Sequence, residues 1–86
     1  MDINSLNLII EKKISQNISC KKIIIEDKTY LHKNHKGHEK NKFHIKLIIK
    51  SDELLKMNRI ESTKKIYKIL DYELKHYIHS IEVSLN

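Results

Sequence analysis

Apolar residues open the chain at helical spacing. Ile3, Leu6, Ile9, Ile10 and Ile14 recur three and four positions apart, which predicts one buried helix face. Asp2 or Asn4 suits the N-cap, and the polar pair Gln16-Asn17 marks the end. The period then changes. Lys22 to Glu26 is a short β-branched run and reads as a strand. Phe43 to Lys50 reads as a second strand, with Phe43, Ile45, Leu47 and Ile49 on one face and His44, Lys46 and Lys50 on the other; Ile48 departs from the alternation. Between the two strands lies a polar loop, 28–42, long for a hairpin and expected to be mobile, with Lys33 to Asn41 holding no apolar anchor. Ser51 to Met57 reads as a turn with a short helical piece. A second helix follows, opened by Asn58 and Glu61 at capping-box spacing and continued by Ile60, Thr63, Ile66, Tyr67, Leu70 and Leu74 on one face. The last strand spans Ile78 to Leu85, with His79, Ile81, Val83 and Leu85 on one side.

The order αββαβ fixes some geometry. The first two strands form an antiparallel hairpin. Strand two, helix two and strand three form a right-handed crossover, so those two strands pair in parallel with strand two central. The expected architecture is an α+β two-layer sandwich: a three-stranded mixed sheet with two helices on one face. Lys46, Lys50, Ser80, Glu82 and Ser84 then belong to the solvated face.

Length and composition narrow the classes. A chain of 86 residues holds one domain, 1–86. Proline is absent and Gly37 is the lone glycine, which excludes collagen-like and linker sequences. No run approaches the roughly 20 apolar residues that span a bilayer. The opening Met1-Asp2-Ile3-Asn4 is acidic and lacks Arg, so no signal or transit peptide and a cytoplasmic location are expected. Cys20 alone forms no internal disulfide. The formal net charge of +6 invites a nucleic-acid reading. Yet the basic residues are sixteen lysines and Arg59, alongside abundant isoleucine and no alanine, the signature of A/T-rich codons. Arginine is the more usual choice for phosphate and base recognition.

The histidines carry more information. Parallel pairing of strands two and three gathers the loop residues His32, His35 and His38, the strand-two opener His44, the helix terminus His76 and the strand-three opener His79 at one end of the molecule. Imidazole is a common ligand for Zn, Cu, Fe and Ni. The plain alternative is polar filler in the loop, a dipole contact for His76, and backbone partners for His44 and His79. No Cys-x-x-Cys accompanies these histidines, so a closed structural zinc site is not encoded, and a site completed by a second protein fits better. No nucleophile–base pair or phosphate cradle stands out, and no enzymatic activity is expected.

Three stretches resemble the BolA family. Its strand two and exit commonly read S-H-F-x-V-x-x-V-S, and Phe43-His44-Ile45-Lys46-Leu47-Ile48-Ile49-Lys50-Ser51 stands here. Its second helix reads roughly R-H-R-x-V-Y-x-x-L-x-x-E-L followed by V-H-A-L; here Ile66-Tyr67-Lys68-Ile69-Leu70-Asp71-Tyr72-Glu73-Leu74 precedes Ile78-His79-Ser80-Ile81. Its loop D-E-S-H-x-H-A-G-H aligns without gaps to Asp27 through His35. The similarity runs from about Leu6 to Leu85. Departures fall around helix two, where R-H-R becomes Ser62-Thr63-Lys64 and F-x-G-K-S becomes Leu54-Leu55-Lys56-Met57-Asn58 without glycine.

The resemblance implies a class-II KH-like fold and a non-enzymatic role beside a monothiol glutaredoxin. Family members share a 2Fe–2S cluster with that partner and glutathione, or pair with it without a cluster. By position the ligands implied are His79 and His32, with His35 the runner-up in the loop and His44 and His38 in support. No cofactor is expected in the isolated protein, which would be a monomer or a weak homodimer. Cys20 lies outside this edge and reads as a neutral, inert thiol. The alternative implied is a nucleic-acid-binding transcriptional regulator. KH domains clamp backbone with a G-x-x-G loop, which is absent here, leaving Lys46 and Lys50 on the open sheet face, with Arg59, Lys64, Lys65 and Lys68 on helix two, for weak salt-sensitive contact.

Overall fold

The computed structural model describes residues 1–29 and 42–86. The elements are α1 (Ile3–Asn17), β1 (Lys22–Asp27), β2 (Phe43–Lys50), α2 (Asp52–Leu55), α3 (Arg59–Ile69), α4 (Asp71–His76) and β3 (Ile78–Leu85). The sheet order is β1-β2-β3, antiparallel between β1 and β2 and parallel between β2 and β3. This is the expected α+β architecture with β2 central. The segment 30–41 lies outside the described residues, and with it the expectation of a mobile loop.

Three of the helices, α1, α2 and α3, start where the sequence provides a side-chain cap. The Asp2 carboxylate accepts the Ser5 N–H at 2.7 Å, and this bond, more than any other influence, holds the carboxyl below its ordinary value. Asn58 accepts the Glu61 N–H at 2.9 Å, the forward bond of the expected capping box, and its side-chain amide donates to the Glu61 carboxylate at 3.1 Å. Ser51 caps α2 by accepting the Leu54 N–H at 3.2 Å. The same hydroxyl donates to the Ser19 carbonyl at 2.7 Å and so ties the α1–β1 connection to the exit of β2.

Helices and sheet share one core. Leu6, Ile10 and Ile14 of α1 are buried with Ile45, Leu47 and Ile49 of β2, Ile66 of α3, Leu70, and Ile78 and Val83 of β3. Burying a side chain of this size contributes about 1.5–3 kcal/mol, and β2 supplies three in one strand because it lies between two neighbours.

Two expectations about helix two are corrected. The periodic segment is not one helix: Leu70 leaves helical geometry (φ −100°, ψ 19°) and separates α3 from α4. The buried stripe also differs, running Ser62, Ile66, Leu70, Glu73, while Ile60 is 68% exposed and Tyr67 42% exposed. A three-stranded sheet covers only a narrow stripe of each helix, and positions 62, 66, 70 and 73 keep helical spacing across Leu70, so Glu73 falls on the buried face while Leu74 is half-buried beside it. Lys13 of α1 makes that burial tolerable. Its ammonium donates to both Glu73 oxygens at 2.8 and 2.7 Å, fixing α1 against α4.

Among the described residues, no helix is long and apolar enough to cross a membrane.

The ion pair yields a prediction. Lys13→Ala leaves a buried carboxylate without its cation, and since Lys13 itself is partly solvated the expected loss is about 1–2 kcal/mol, read as a lower urea midpoint. Lys75→Ala, which removes an exposed partner of Asp71, serves as the control and should move the midpoint little. Equal midpoints for the two variants would show that the buried pair does not hold α1 to α4.

Candidate functional site

The site begins at the base of the β1–β2 hairpin. Asp27 ends β1, and its carboxylate accepts from both the backbone N–H and the hydroxyl of Thr29. The Thr29 oxygen in turn accepts the His44 N–H at 3.1 Å, and the His44 carbonyl accepts the Lys28 N–H at 2.7 Å. The backbone of His44 is thus held across the hairpin by local turn chemistry.

The parallel partner places the rest. The Phe43 N–H donates to the Tyr77 carbonyl at 2.9 Å, and Phe43 pairs with Ile78. His44, however, pairs with Ser80, and Ile45 with Ile81. His79 is therefore an extra residue in β3, a bulge that breaks the alternation. This corrects the expectation that His79 shares a side with Ile81, Val83 and Leu85. The bulge puts Ile78 into the core at 2% exposure and leaves His79 outside it. Bulges re-aim side chains in this way at functional edges, and the core demand for Ile78 supplies the physical cause.

His44 and His79 meet as a consequence. Their ring centroids are 4.8 Å apart with planes tilted by 53°. His44 is 6% exposed although it lies on the face away from the helices, and its Nδ1 shares a 2.6 Å hydrogen bond with the Ser80 hydroxyl. A shallow cleft of about 310 Å³ borders His44, with Lys28, Lys46, Ser80 and Glu82 among its lining residues.

His76 ends α4 as expected, but its ring lies on Tyr72 at 4.4 Å between centroids. Tyr77 completes that aromatic group, 6.1 Å from Tyr72. The hydrogen bond with Tyr72 is the main influence pushing the Tyr77 phenol above its ordinary value, so Tyr77 stays neutral. His32, His35 and His38 lie outside the described residues. Among the described residues, no three His, Cys, Asp or Glu side chains are grouped to hold a metal ion. Two imidazoles in contact are what this edge supplies.

The basic residues of helix two are divided in their commitments. Arg59 donates to the Val83 carbonyl at 2.9 Å, and Lys65 pairs with Glu53 at 2.8 Å. That bond to Lys65, ahead of the Ser19 N–H, holds the Glu53 carboxyl below its ordinary value. Lys64 and Lys68 are exposed. Cys20 lies near Ser51 and Glu53, and partial burial first, then the Glu53 charge, push its thiol up, which keeps it protonated and a poor nucleophile.

Sequence reasoning assigned no role to Ser80. The only signal for it was its register with His44, and the bulge hides that register from a strict alternation. Glu73 was missed for a related reason, because an acidic residue on a helix gives no sign that its partner is 60 positions away.

Residues 14–86 match the profile of the family described as BolA-like protein. The DNA-binding transcriptional regulator BolA of Haemophilus influenzae is 31% identical over 81 residues, covering 94% of this chain and 76% of its own length. Among solved structures, the BolA domain of SufE1 from Arabidopsis thaliana superposes with a TM-score of 0.77 at 23% identity, over 100% of this chain and 93% of that one. BolA1 from Arabidopsis thaliana superposes with a TM-score of 0.73 at 22% identity, over 90% and 85% of the respective chains. At these identities the two structures speak to the fold, and the profile match and the Haemophilus influenzae relative to kinship. The chain belongs to the BolA-like protein family.

Proposed function

We propose that this protein is a non-enzymatic adaptor or regulator that holds a 2Fe–2S cluster jointly with a monothiol glutaredoxin and glutathione. The observation that supports this reading is the His44–His79 contact at the edge where the histidine-bearing hairpin loop re-enters the sheet. His79 is exposed and carried by a strand, so it is presented to a partner from a rigid base. In this reading His79 and His32 are the ligands this chain supplies, with His35 the loop alternative and His38 in support.

The donor set fits such a group. Iron–sulfur clusters accept a pair of histidines on one iron in place of cysteines, which raises the potential. This chain supplies imidazoles, and its one thiol lies elsewhere and is kept protonated. The thiolates must then come from the partner and glutathione, which agrees with a shared cluster and with none held by the isolated protein. His44, buried beside His79, fixes the ring rather than binding from solvent. No paired nucleophile and activated base with an adjoining oxyanion site is part of this reading, which assigns the chain no catalysis of its own.

The test is co-expression with the cell's monothiol glutaredoxin, followed by a visible absorption spectrum of the purified pair. The wild-type complex should carry cluster absorption. His79→Ala should abolish it while leaving the fold intact, because His79 is exposed. His32→Ala should abolish the absorption or shift it if His35 takes over. His76→Ala should leave it unchanged, since its ring lies on Tyr72. Identical behaviour of His79→Ala and His76→Ala removes the chemical basis of the reading.

The second reading, a nucleic-acid-binding regulator, is favoured by the net charge of +6 and by the name of the Haemophilus influenzae relative. Against it, Arg59 and Lys65 are engaged within the fold, which leaves Lys64 and Lys68 as the helix-two cations turned to solvent. Binding to random and promoter-like duplexes should be similarly weak. It should fall steeply with salt, with a logarithmic slope of about −0.9 per phosphate contacted. Sub-micromolar, sequence-selective binding in a fluorescence anisotropy titration at physiological salt would reverse the order of the two readings.

A further inference from the structure

We propose that Ser80 is a positioning residue for His79, acting through the buried ring of His44. The inference rests on the reading of His79 as a ligand and names the device that aims it. Three observations carry it. The Ser80 hydroxyl lies 2.6 Å from His44 Nδ1, inside hydrogen-bond range for a side chain that is 6% exposed. The His44 ring lies 4.8 Å, centroid to centroid, from the ring of His79. The bulge makes both contacts possible at once: it places Ser80, not His79, opposite His44 in the parallel ladder, and inserts His79 beside the pair.

The physical consequence concerns rotational freedom. His79 is exposed and sits at a bulge, where the regular ladder does not restrain its side chain. A ligand that samples several rotamers must lose that freedom on binding, which weakens the site. A neighbouring ring restrains it only if that ring is itself fixed. Burial limits where the His44 ring can go, and its backbone is held by the Thr29 oxygen and the Lys28 N–H. The hydroxyl of Ser80 adds the rotational reference. Within hydrogen-bond distance of Nδ1, it favours one ring orientation about χ2, a torsion that is broad and two-fold by itself. The order of action is therefore Ser80 on His44, and His44 on His79. Ligating histidines depend on such supporting hydrogen bonds elsewhere, where losing one costs about 10–100-fold in affinity. Here the support is one residue removed, so the lower end of that range applies.

The experiment compares Ser80→Ala, Ser80→Thr and wild type in two states. In the isolated protein, three-bond couplings about χ1 of His79 report its rotamer distribution by NMR. In the complex with glutaredoxin, the rate at which cluster absorption is lost to a chelator reports the site. Ser80→Ala should shift the His79 couplings toward free averaging and speed cluster loss about 10-fold. Ser80→Thr, which keeps a hydroxyl on a strand that tolerates β-branching, should restore both. A urea midpoint within error of wild type for Ser80→Ala separates the effect from simple unfolding. If Ser80→Ala leaves the His79 couplings unchanged, the positioning role is overturned, even where His79→Ala still abolishes the spectrum. If the couplings change but His79→Ala retains the spectrum, positioning stands and the ligand reading falls. If Ser80→Thr fails to restore what Ser80→Ala loses, the hydroxyl is not the acting group and the inference is likewise overturned.

Discussion

Parallel pairing between β2 and β3 requires the chain to leave the sheet at the end of β2 and re-enter it at the opposite end, beside the start of β2. α2, α3 and α4 make that journey, and they end where Tyr77 meets Phe43. Once Ile45 is opposite Ile81 and Phe43 opposite Ile78, two residues of β3, His79 and Ser80, must be accommodated against one of β2, His44. The core accepts Ile78 and Ser80 meets His44, so His79 bulges out. The constraint that satisfies the core thus also presents the imidazole. Exposure of His79 follows from hydrophobic burial of its neighbour, without any separate requirement that the site be open.

The charges obey the same economy of contacts. A chain with 17 basic and 11 acidic residues carries an excess of cations, yet several of the most suggestive ones work inside the fold. Lys13 neutralises Glu73, Lys65 neutralises Glu53, and Arg59 satisfies the Val83 carbonyl on the edge strand. The Arg59 bond matters because β3 pairs on one side only, and a carbonyl on that strand finds its partner in a side chain. Net charge therefore overstates the surface available to phosphate.

Much of this was legible in the sequence, and the failures have causes. The period-two run at Phe43–Lys50 gave β2 its limits, and Asp2 and Asn58 marked the helix starts, because local side-chain chemistry decides those features. The direction of β3 was legible too, because a helical crossover from β2 delivers the chain to a parallel neighbour. The break at Leu70 was not legible. No glycine or proline marks it, and the apolar period runs through Leu70 without interruption. The inward turn of Glu73 and the outward turn of Ile60 and Tyr67 also invert what hydropathy alone suggests. At the site, sequence reasoning brought His44 and His79 to one edge, and they are in contact. It assumed unbroken alternation along β3, and one inserted residue was enough to hide Ser80.

The central claim is that imidazole from this chain binds iron in a shared cluster. Pulsed electron paramagnetic resonance on the reduced mixed complex tests it most directly, with this chain labelled with ¹⁵N at histidine and the glutaredoxin and glutathione unlabelled. The account predicts ¹⁵N hyperfine coupling from imidazole of this chain in the wild-type complex. A complex that holds a cluster but shows no ¹⁵N coupling from this chain would contradict it.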